Sequence, residues 1–280
     1  WAMREGVIDG AVVSSLDGKL ACQPAPTVVT SPEDLRRTAK SWYTYVANNL
    51  GLEEVKKKDL KKVGFVGVPC QITPVRKMEL CDPSFIKTPN KKPKIVEKQE
   101  GFMKGFARRV ALNIGLFCTE VFNYEGLMVD KIQGELGIPL ADVVKFNVKA
   151  KVLVYKKDDE VVEINLKECA TKYGRPECHH CGDFSAELAD IACGGVGARG
   201  WTIVVTRTPK GEEIWNRVVE SGMVEVKSIE EFQKSLKILN ILSTRQTKRV
   251  PQGTQLRGMP REPLDGEVIL RTRPVAPAAS

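Results

Sequence analysis

Two short apolar segments, each followed at once by a cysteine, constrain the fold of this 280-residue chain most strongly. Val-Gly-Phe-Val-Gly-Val (63–68) leads directly into Pro69-Cys70-Gln71, and a second apolar stretch extends from Val110 to Cys118. Short continuous apolar segments are typical of strands that are buried on both faces of a parallel sheet. Because open α/β sheets bind ligands outside the carboxyl ends of their strands, both thiols are predicted at a ligand-binding edge.

The rest of the chain alternates predicted strands and helices. Residues 4–29 predict two strands about a turn at Asp17-Gly18, and Ser31-Pro-Glu-Asp predicts the capped start of a helix. The later predicted elements are a helix ending before Gly137, a β-hairpin over 143–166, a strand over 201–206 and a helix over 211–221. The predicted fold class is therefore α/β, with mixed α+β sheet domains.

We divide the chain into four parts. Residues 1–81 and 110–225 are predicted to be the two α/β parts of one ligand-binding domain. Between them, 82–109 is predicted to be an exposed basic insertion, because this lysine-rich segment holds three prolines and no sustained hydrophobic period. Residues 226–280 predict a helix followed by an irregular tail rich in proline and arginine. Since the chain begins at Trp1 without a methionine and soon enters a strand pattern, we expect a further segment upstream.

Composition narrows the function classes. The net charge of +8 comes largely from local lysine runs and from the arginines of the tail, and such runs usually form solvated faces; a nucleic-acid partner is not favoured. No apolar stretch approaches the roughly 18 residues that cross a bilayer, so an integral membrane protein is not expected. Basic surface of this kind could instead bind an acidic partner protein or a polyanionic cofactor tail.

Eight cysteines and only two histidines point to thiolate chemistry. Cys178 and Cys181 form a C-x-x-C pair that encloses both histidines, and a structural zinc knuckle is one interpretation of it. Zinc would require two more closely spaced ligands, which the sequence lacks. The strand-end thiols of Cys70 and Cys118 complete a set of four, which favours a 4Fe-4S cluster. The remaining cysteines are expected to be inert thiols; they are Cys22, Cys81, Cys169 and Cys193.

A glycine-rich turn follows the paired cysteines. Cys193-Gly-Gly-Val-Gly (193–197) offers backbone N–H groups to a phosphate, and Arg199-Gly-Trp201 adds a cation and an aromatic ring. The spacing does not match a G-x-G-x-x-G that opens a helix, so a Rossmann site is not supported. From the residues alone, this turn predicts a phosphate-bearing cofactor close to a cluster.

Several motifs, in order over residues 1 to about 225, resemble one family: the β subunit of coenzyme F420-reducing hydrogenase and its relatives. These relatives include the F subunit of reduced-F420 dehydrogenase, the β subunit of F420-dependent formate dehydrogenase and the chlorophyll-ring reductases. Cys-His-His-Cys is most similar to the reduced-F420 dehydrogenase member. The matching stretches are Gly6-Val-Ile-Asp-Gly-Ala-Val-Val, Ser41-Trp-Tyr-Thr, Gly67-Val-Pro-Cys-Gln with Arg76-Lys77, Gly115-Leu-Phe-Cys-Thr-Glu, Pro176-Glu-Cys-His-His-Cys-Gly-Asp-Phe, and Glu187-Leu-Ala-Asp to Gly200-Trp201 with Thr206-Arg-Thr.

The resemblance implies an iron–sulfur flavoprotein that binds FAD and one 4Fe-4S cluster and exchanges hydride with coenzyme F420, its substrate. Electrons would pass to or from other redox subunits of a hydrogenase, dehydrogenase or reductase. The implied location is cytoplasmic, or peripheral to a membrane complex, and no side chain is assigned a catalytic role. The implied cluster ligands are Cys70, Cys118, Cys178 and Cys181, and the implied FAD contacts are Thr44, Asn48, Gly194, Gly195, Gly197 and Trp201.

Two other functions stay open at this stage. One is the reduction of a chlorophyll-type ring (7-hydroxymethyl or vinyl) with electrons from ferredoxin, and the other is a non-catalytic iron–sulfur subunit that bridges partners. The chain also departs from the family pattern. Relatives usually carry a basic residue where this chain has Trp42, and the family's flavin-binding glycine pair would lie upstream of Trp1.

Overall fold

The computed structural model describes residues 1–80 and 93–250. Cys81, the part of the predicted insertion that precedes Pro93 and the tail beyond Val250 therefore lie outside it. The strands are β1 Gly10–Leu16, β2 Pro24–Val29, β3 Val63–Gly67, β4 Val110–Leu116, β5 Val143–Val148, β6 Lys151–Lys156, β7 Val161–Asn165, β8 Ile191–Gly194 and β9 Ile203–Thr206. The α-helices are α1 Pro32–Arg37, α2 Gly51–Lys57, α3 Pro69–Glu79, α4 Pro93–Ala107, α5 Leu166–Tyr173, α6 Pro209–Glu220 and α7 Gln233–Thr247. A π-helix covers Glu125–Glu135, and short 3₁₀ turns cover Asn48–Leu50, Leu140–Asp142, Pro176–His180 and Ile229–Phe232.

A six-stranded sheet forms the centre of the fold, in the order β2-β1-β3-β4-β8-β9. The four inner strands β1, β3, β4 and β8 are parallel, whereas β2 and β9 pair antiparallel at the two edges. The predicted α/β class is therefore confirmed, and so are the buried strands before Cys70 and Cys118. Because β3, β4 and β8 are parallel, their carboxyl ends lie at one edge of the sheet.

Apolar side chains cover both faces of the sheet, which explains the continuous apolar segments. On one face Phe65 of β3 packs with Val55 of α2 and Ile72 of α3 in a buried cluster. On the other face Leu112 of β4 packs with Ile8 and with Ile214 of α6. A strand covered on both faces cannot show polar alternation, because neither side meets water.

A buried ion network joins α3 to β8 and α6. Asp190, whose side chain is 1% exposed, accepts hydrogen bonds from Arg76 Nη2 at 2.6 Å, from Thr208 Oγ1 at 2.8 Å and from the Asn113 backbone N–H at 2.8 Å. Lys210 Nζ lies 3.1 Å from the same carboxylate. The network therefore fixes the helix that begins beside Cys70 against the sheet.

The predicted hairpin over 143–166 is present as β6 and β7, but it belongs to a three-stranded antiparallel sheet, β5-β6-β7. The strand β5 was missed by the sequence analysis. A register shift between Val143 and Lys145 breaks its period of two, so that Val143 and Phe146 are both buried although they lie three residues apart. This small sheet packs its buried residues against the π-helix in a separate apolar cluster.

The helix α4 lies within the predicted basic insertion and was not predicted from the sequence. Residues 93–107 form an α-helix, whereas the sequence analysis found no sustained hydrophobic period there. Proline at the first position of this helix is compatible with helix formation, and Phe102 and Phe106 are spaced by one helical turn. Lys56 Nζ of α2 lies 5.3 and 5.4 Å from the centres of these two rings. The predicted bounds of the insertion stay a prediction.

The capped start of the first helix and the turn between the first two strands were predicted correctly. Ser31 caps α1 by accepting the Asp34 N–H at 3.1 Å, and the turn between β1 and β2 contains Gly18 at φ +77°. Across the described ranges, 1–80 and 93–250, no helix combines the length and apolar character that crossing a bilayer requires.

Candidate functional site: four thiols and a glycine hairpin at one sheet edge

Cys70 lies at the second residue of α3, immediately after β3. The next residue, Gln71, holds this turn in place: its Oε1 accepts the Val68 N–H at 3.0 Å, and its Nε2 donates to the Val46 carbonyl. Asn49 Nδ2 donates to the Gln71 carbonyl at 2.9 Å. The Cys70 turn is thereby tied to the segment 41–50, which holds the predicted contacts Thr44 and Asn48.

Cys118 lies just beyond β4 and is held by the chain that follows the C-x-x-C pair. Its N–H donates to the Phe184 carbonyl at 2.9 Å, and the N–H of Phe117 donates to the Cys193 carbonyl at 2.9 Å. The Cys118 loop therefore makes backbone contact both with the residues after Cys181 and with β8.

The paired cysteines lie on and just after the 3₁₀ turn Pro176–His180. The Cys178 N–H donates to the Arg175 carbonyl at 2.9 Å, and the Arg175 N–H donates to the Val121 carbonyl at 3.0 Å. The C-x-x-C segment is thus hydrogen-bonded to the chain that follows Cys118. Three segments that are distant in sequence deliver four thiols to neighbouring positions.

Burial and the other thiols of the set raise the pKa values of Cys70 and Cys118. Burial raises the pKa of Cys118 well above its usual range, and negative charge on Cys178, Cys70 and Cys181 raises it further. Desolvation raises the pKa of Cys70 to about 11, with added contributions from Cys181 and Cys178. Each thiolate would therefore be costly without a cation, because like charges oppose one another where water is scarce.

This donor set fits an iron–sulfur cluster. Within residues 1–80 and 93–250, no group of three or more His, Cys, Asp or Glu side chains is arranged to hold a single metal ion. The four sulfurs around a 4Fe-4S cube bind four different irons, so they lie further apart than the ligands of one ion. Soft thiolates suit iron–sulfur chemistry, and the cluster's positive irons would relieve their mutual repulsion. The assignment of these four ligands stays a prediction.

Three of the other cysteines differ in their distance from this set, and only Cys193 lies next to the Cys118 loop. Cys22 and Cys169 are buried in the apolar cluster under the small sheet, and burial raises the pKa of each to about 11. Cys22 also donates to the Leu140 carbonyl at 3.3 Å. Cys193 lies within β8, where burial raises its pKa. Cys22 and Cys169 lie in an apolar cluster that contains none of the four proposed ligands.

The glycine-rich segment forms the connection of an antiparallel hairpin, β8-β9, next to Cys118. Gly194 is the last residue of β8 and lies against the ring of Phe117, which a Cβ at position 194 would meet at 2.5 Å. Gly195 faces open space, since a Cβ there would meet no protein atom within 4 Å, and Gly197 has φ +73°. Exposed amides in such a turn can approach a phosphate closely, which fits part of a flavin dinucleotide site.

The other predicted FAD contacts differ in the interactions that their side chains already make within the protein. Thr44 Oγ1 is buried and has no hydrogen-bond partner among the described residues, as expected of a hydroxyl that a ligand would bind. Asn48 accepts from Ser14 Oγ and donates to the Val66 carbonyl, both at 3.0 Å, so its side chain already joins β1 to β3. Trp201 lies between Lys227 Nζ, 4.8 Å from its ring centre, and the ring of Phe232 at 5.9 Å. All three FAD contacts stay predictions.

Trp42, where the sequence analysis expected a basic residue in relatives, is a core residue. It is 7% exposed and packs edge-on against Phe146 at 6.0 Å. The side chain therefore supports the small sheet, and the phosphate contact expected of a basic residue at this position is not available from it.

The sequence analysis assigned no role to three charged residues near the thiol loops: Arg175, Glu120 and Arg249. The Arg175 guanidinium lies 4.0 Å from the ring centre of Tyr45, and its positive charge offsets part of the rise that burial gives the pKa of Cys70. Glu120 Oε1 lies 3.2 Å from His179 Nε2. Arg249 donates to two carbonyls of the cysteine loops. Adjacency to Cys118 and Cys178 could have pointed to Glu120 and His179, but no sequence signal points to Arg249.

Comparison with known proteins identifies the family. The family model for the N-terminal part of the coenzyme F420 hydrogenase/dehydrogenase beta subunit matches residues 1–53, and the model for the C-terminal part of the same beta subunit matches residues 60–232. The mixed α/β fold and the two family matches together define the class of this protein: it is a subunit of an oxidoreductase complex. Within that class, the chain belongs to the coenzyme F420 hydrogenase/dehydrogenase β-subunit family, as the sequence resemblance predicted.

Individual relatives agree with this assignment. The beta subunit of coenzyme F420 hydrogenase from Methanococcus voltae is 34% identical over 252 residues, covering 89% of this chain and 82% of that protein. The F subunit of F(420)H(2) dehydrogenase from Methanosarcina mazei is 34% identical over 199 residues, covering 70% and 50%. A chain of the F420-reducing [NiFe] hydrogenase complex from Methanosarcina barkeri superimposes with a TM-score of 0.76 at 33% identity, covering 89% of this chain and 79% of its own length.

Proposed function

We propose that this chain is an iron–sulfur flavoprotein subunit that transfers electrons between coenzyme F420 and a 4Fe-4S cluster by way of FAD. The observation that carries the proposal is the convergence of the Cys70, Cys118 and Cys178 loops, through hydrogen bonds, at a sheet edge shared with the glycine hairpin. We further propose other redox subunits as partners and a cytoplasmic location, peripheral to a complex.

The four thiols would bind the cluster, and they belong to three separate segments of the chain. When bound, FAD accepts a hydride and releases electrons singly, whereas a 4Fe-4S cluster accepts one electron at a time. The chain itself orients the thiols through backbone hydrogen bonds of the Cys70, Cys118 and Cys178 loops. Phe117 and Phe184, whose ring centres are 5.6 Å apart, exclude water next to Cys118.

The glycine hairpin and Thr44 would bind FAD. Gly195 leaves open space and amides for a phosphate, and Arg199 adds positive charge in the same hairpin connection. The unpartnered hydroxyl of Thr44 would gain a hydrogen bond from the ligand. Coenzyme F420 carries an anionic phosphate and polyglutamate tail, and the partly exposed guanidinium of Arg175 is suited to attract it.

A direct test uses the full chain reconstituted without oxygen with FAD, iron and sulfide. Chemically reduced coenzyme F420 should then reduce a viologen dye. Cys70→Ser should lose both bound iron and dye reduction, while the buried, distant Cys169→Ala serves as the matched control and should keep both. Full iron content and full activity in Cys70→Ser would overturn the ligand assignment. Absence of dye reduction with flavin and iron both bound would overturn the F420 reaction and favour ring reduction or a bridging role.

A further inference from the structure

The helix α7 lies beyond the matched family model, which ends at residue 232, yet it contacts both halves of the candidate site. Its first half packs against the glycine hairpin. Leu239 is buried in a cluster with Val196 of the hairpin, and a Cβ at Gly197 would lie 2.9 Å from Ile238 Cδ1. The helix therefore runs from the predicted flavin site toward the thiols.

At its far end, α7 leads to a charged contact with the cysteine loops. Arg249 Nη1 donates to the Thr119 carbonyl at 2.8 Å and to the Cys178 carbonyl at 2.9 Å. Gln246, which is 1% exposed, donates from Nε2 to the same Thr119 carbonyl at 3.2 Å. Val250 covers Gly182, because a Cβ at that glycine would lie 2.5 Å from Val250 Cγ2.

We propose that Arg249 is a positioning residue that fastens the Cys118 loop to the Cys178 loop and so controls how firmly the cluster is retained. One nitrogen of its guanidinium bridges carbonyls from two chain segments, each belonging to a proposed ligand or its direct neighbour. The part of the inference that concerns the cluster rests on the proposed function. The fastening of the two loops does not, because both hydrogen bonds are made by the polypeptide alone.

Arginine suits this place for two reasons. Its planar guanidinium presents donors in a fixed fork, whereas a lysine ammonium would have to be ordered from a flexible stem. Its positive charge also persists at every accessible pH, so both hydrogen bonds to the carbonyls stay charge-assisted. Groups that orient ligands in this way affect metal affinity about 10–100-fold when they are replaced.

The first experiment needs no cofactor and uses hydrogen exchange on the full-length apoprotein. Arg249→Gln should speed amide exchange in peptides covering 117–122 and 174–181. The matched control is Arg245→Gln, which removes the same charge from an exposed position on α7, four residues earlier in the chain, and should leave both peptides unchanged. Unchanged exchange in Arg249→Gln would overturn the fastening role, and a thermal melt of each variant distinguishes local loosening from unfolding.

The second experiment follows iron release from reconstituted protein to a chelator. Arg249→Gln should lose iron about tenfold faster than the wild type, Arg249→Lys should fall between them, and Arg245→Gln should match the wild type. Equal release from all four proteins would overturn the effect on cluster retention. If the wild type itself binds no iron, the proposed function fails, while the exchange experiment still decides whether Arg249 holds the loops.

Discussion

Replacing Asp190 with alanine should be among the more damaging single changes in the chain. The substitution removes the acceptor shared by Arg76, Thr208, Lys210 and the Asn113 N–H. Arg76 is only 9% exposed at its side chain, so its charge would remain buried with less compensation. The α3 helix, which carries Cys70, would lose its tie to β8.

The loss of stability depends on which partners of Arg76 remain after the substitution. Removing one member of a buried ion pair costs roughly 3–5 kcal/mol. Arg76 would keep its 2.6 Å contact with Glu79 and its 2.8 Å hydrogen bond to the Leu188 carbonyl, which offset part of the loss. We therefore expect a loss at the lower end of this range, about 3 kcal/mol of unfolding free energy. That loss corresponds to a fall of roughly 6–12 °C in melting temperature. Lys210→Ala is the control: that side chain is 43% exposed, so its loss should cost under about 1 kcal/mol.

The same network predicts a pH dependence with a defined sign. Burial alone would raise the pKa of Asp190, but the charges of Arg76 and Lys210 and the hydrogen bonds from Asn113 and Thr208 hold it below its ordinary value. A carboxylate with a lowered pKa in the folded state stabilises the protein above its unfolded pKa of about 3.9. That stabilisation is lost as the pH falls through the lower, folded pKa.

Denaturant titrations of the wild type, Asp190→Ala, Arg76→Met and the double variant would measure these terms. The difference between the wild type and Asp190→Ala should be constant from about pH 7 to pH 5 and should shrink below about pH 4. The double-mutant cycle should show that the two losses are strongly non-additive. A cost below about 1 kcal/mol for Asp190→Ala, or additive losses, would refute the account of a coupled buried pair.

Three further predictions concern the described residues. Thr44→Val should leave the stability of the apoprotein unchanged or slightly higher, because the hydroxyl has no partner, while weakening FAD binding in a fluorescence titration; unaltered FAD affinity would remove Thr44 from the site. Gly115→Ala should destabilise by about 2–3 kcal/mol in denaturant titration, because the new Cβ would meet Ala186 Cβ at 2.2 Å; a neutral result would contradict this close packing. Cys22 and Cys169 should resist iodoacetamide in the native apoprotein at pH 8 and react after denaturation, because both are buried with pKa values near 11; rapid native labelling, read by mass spectrometry, would contradict this.

The central sheet could be predicted from the sequence because its inner strands are apolar along their length. Val63–Gly67 and Val110–Leu116 are buried on both faces, so their apolar character is continuous and their direction follows from the loops that end them. The strand β5 was not accessible, since its register shift hides the period of two. The helix α4 was hidden by lysines and prolines that dominate the composition of its surroundings, although the spacing of Phe102 and Phe106 was helical.

The candidate site divides in the same way. The thiols of Cys70 and Cys118 could be grouped from sequence because parallel strands bring their carboxyl ends to one edge. The contact of Arg249 with the Cys118 and Cys178 loops could not be predicted, because it depends on the position of α7, which no sequence motif specifies. The role of Asn48 in joining β1 to β3 was equally invisible, since a buried asparagine that binds a carbonyl looks the same in sequence as one that binds a ligand.

The sheet β5-β6-β7 separates β4 from β8 along the chain, so the ribosome delivers Cys118 well before Cys178 and Cys181. A nascent chain that has emerged only as far as α5 presents two isolated strand-end thiols. Domains generally fold as units while the N-terminal part emerges first, and here the chain of the small sheet is synthesised before β8, which pairs with β4. Arg249 follows α7, so its hydrogen bonds to the Cys118 and Cys178 loops form only after synthesis has passed that helix.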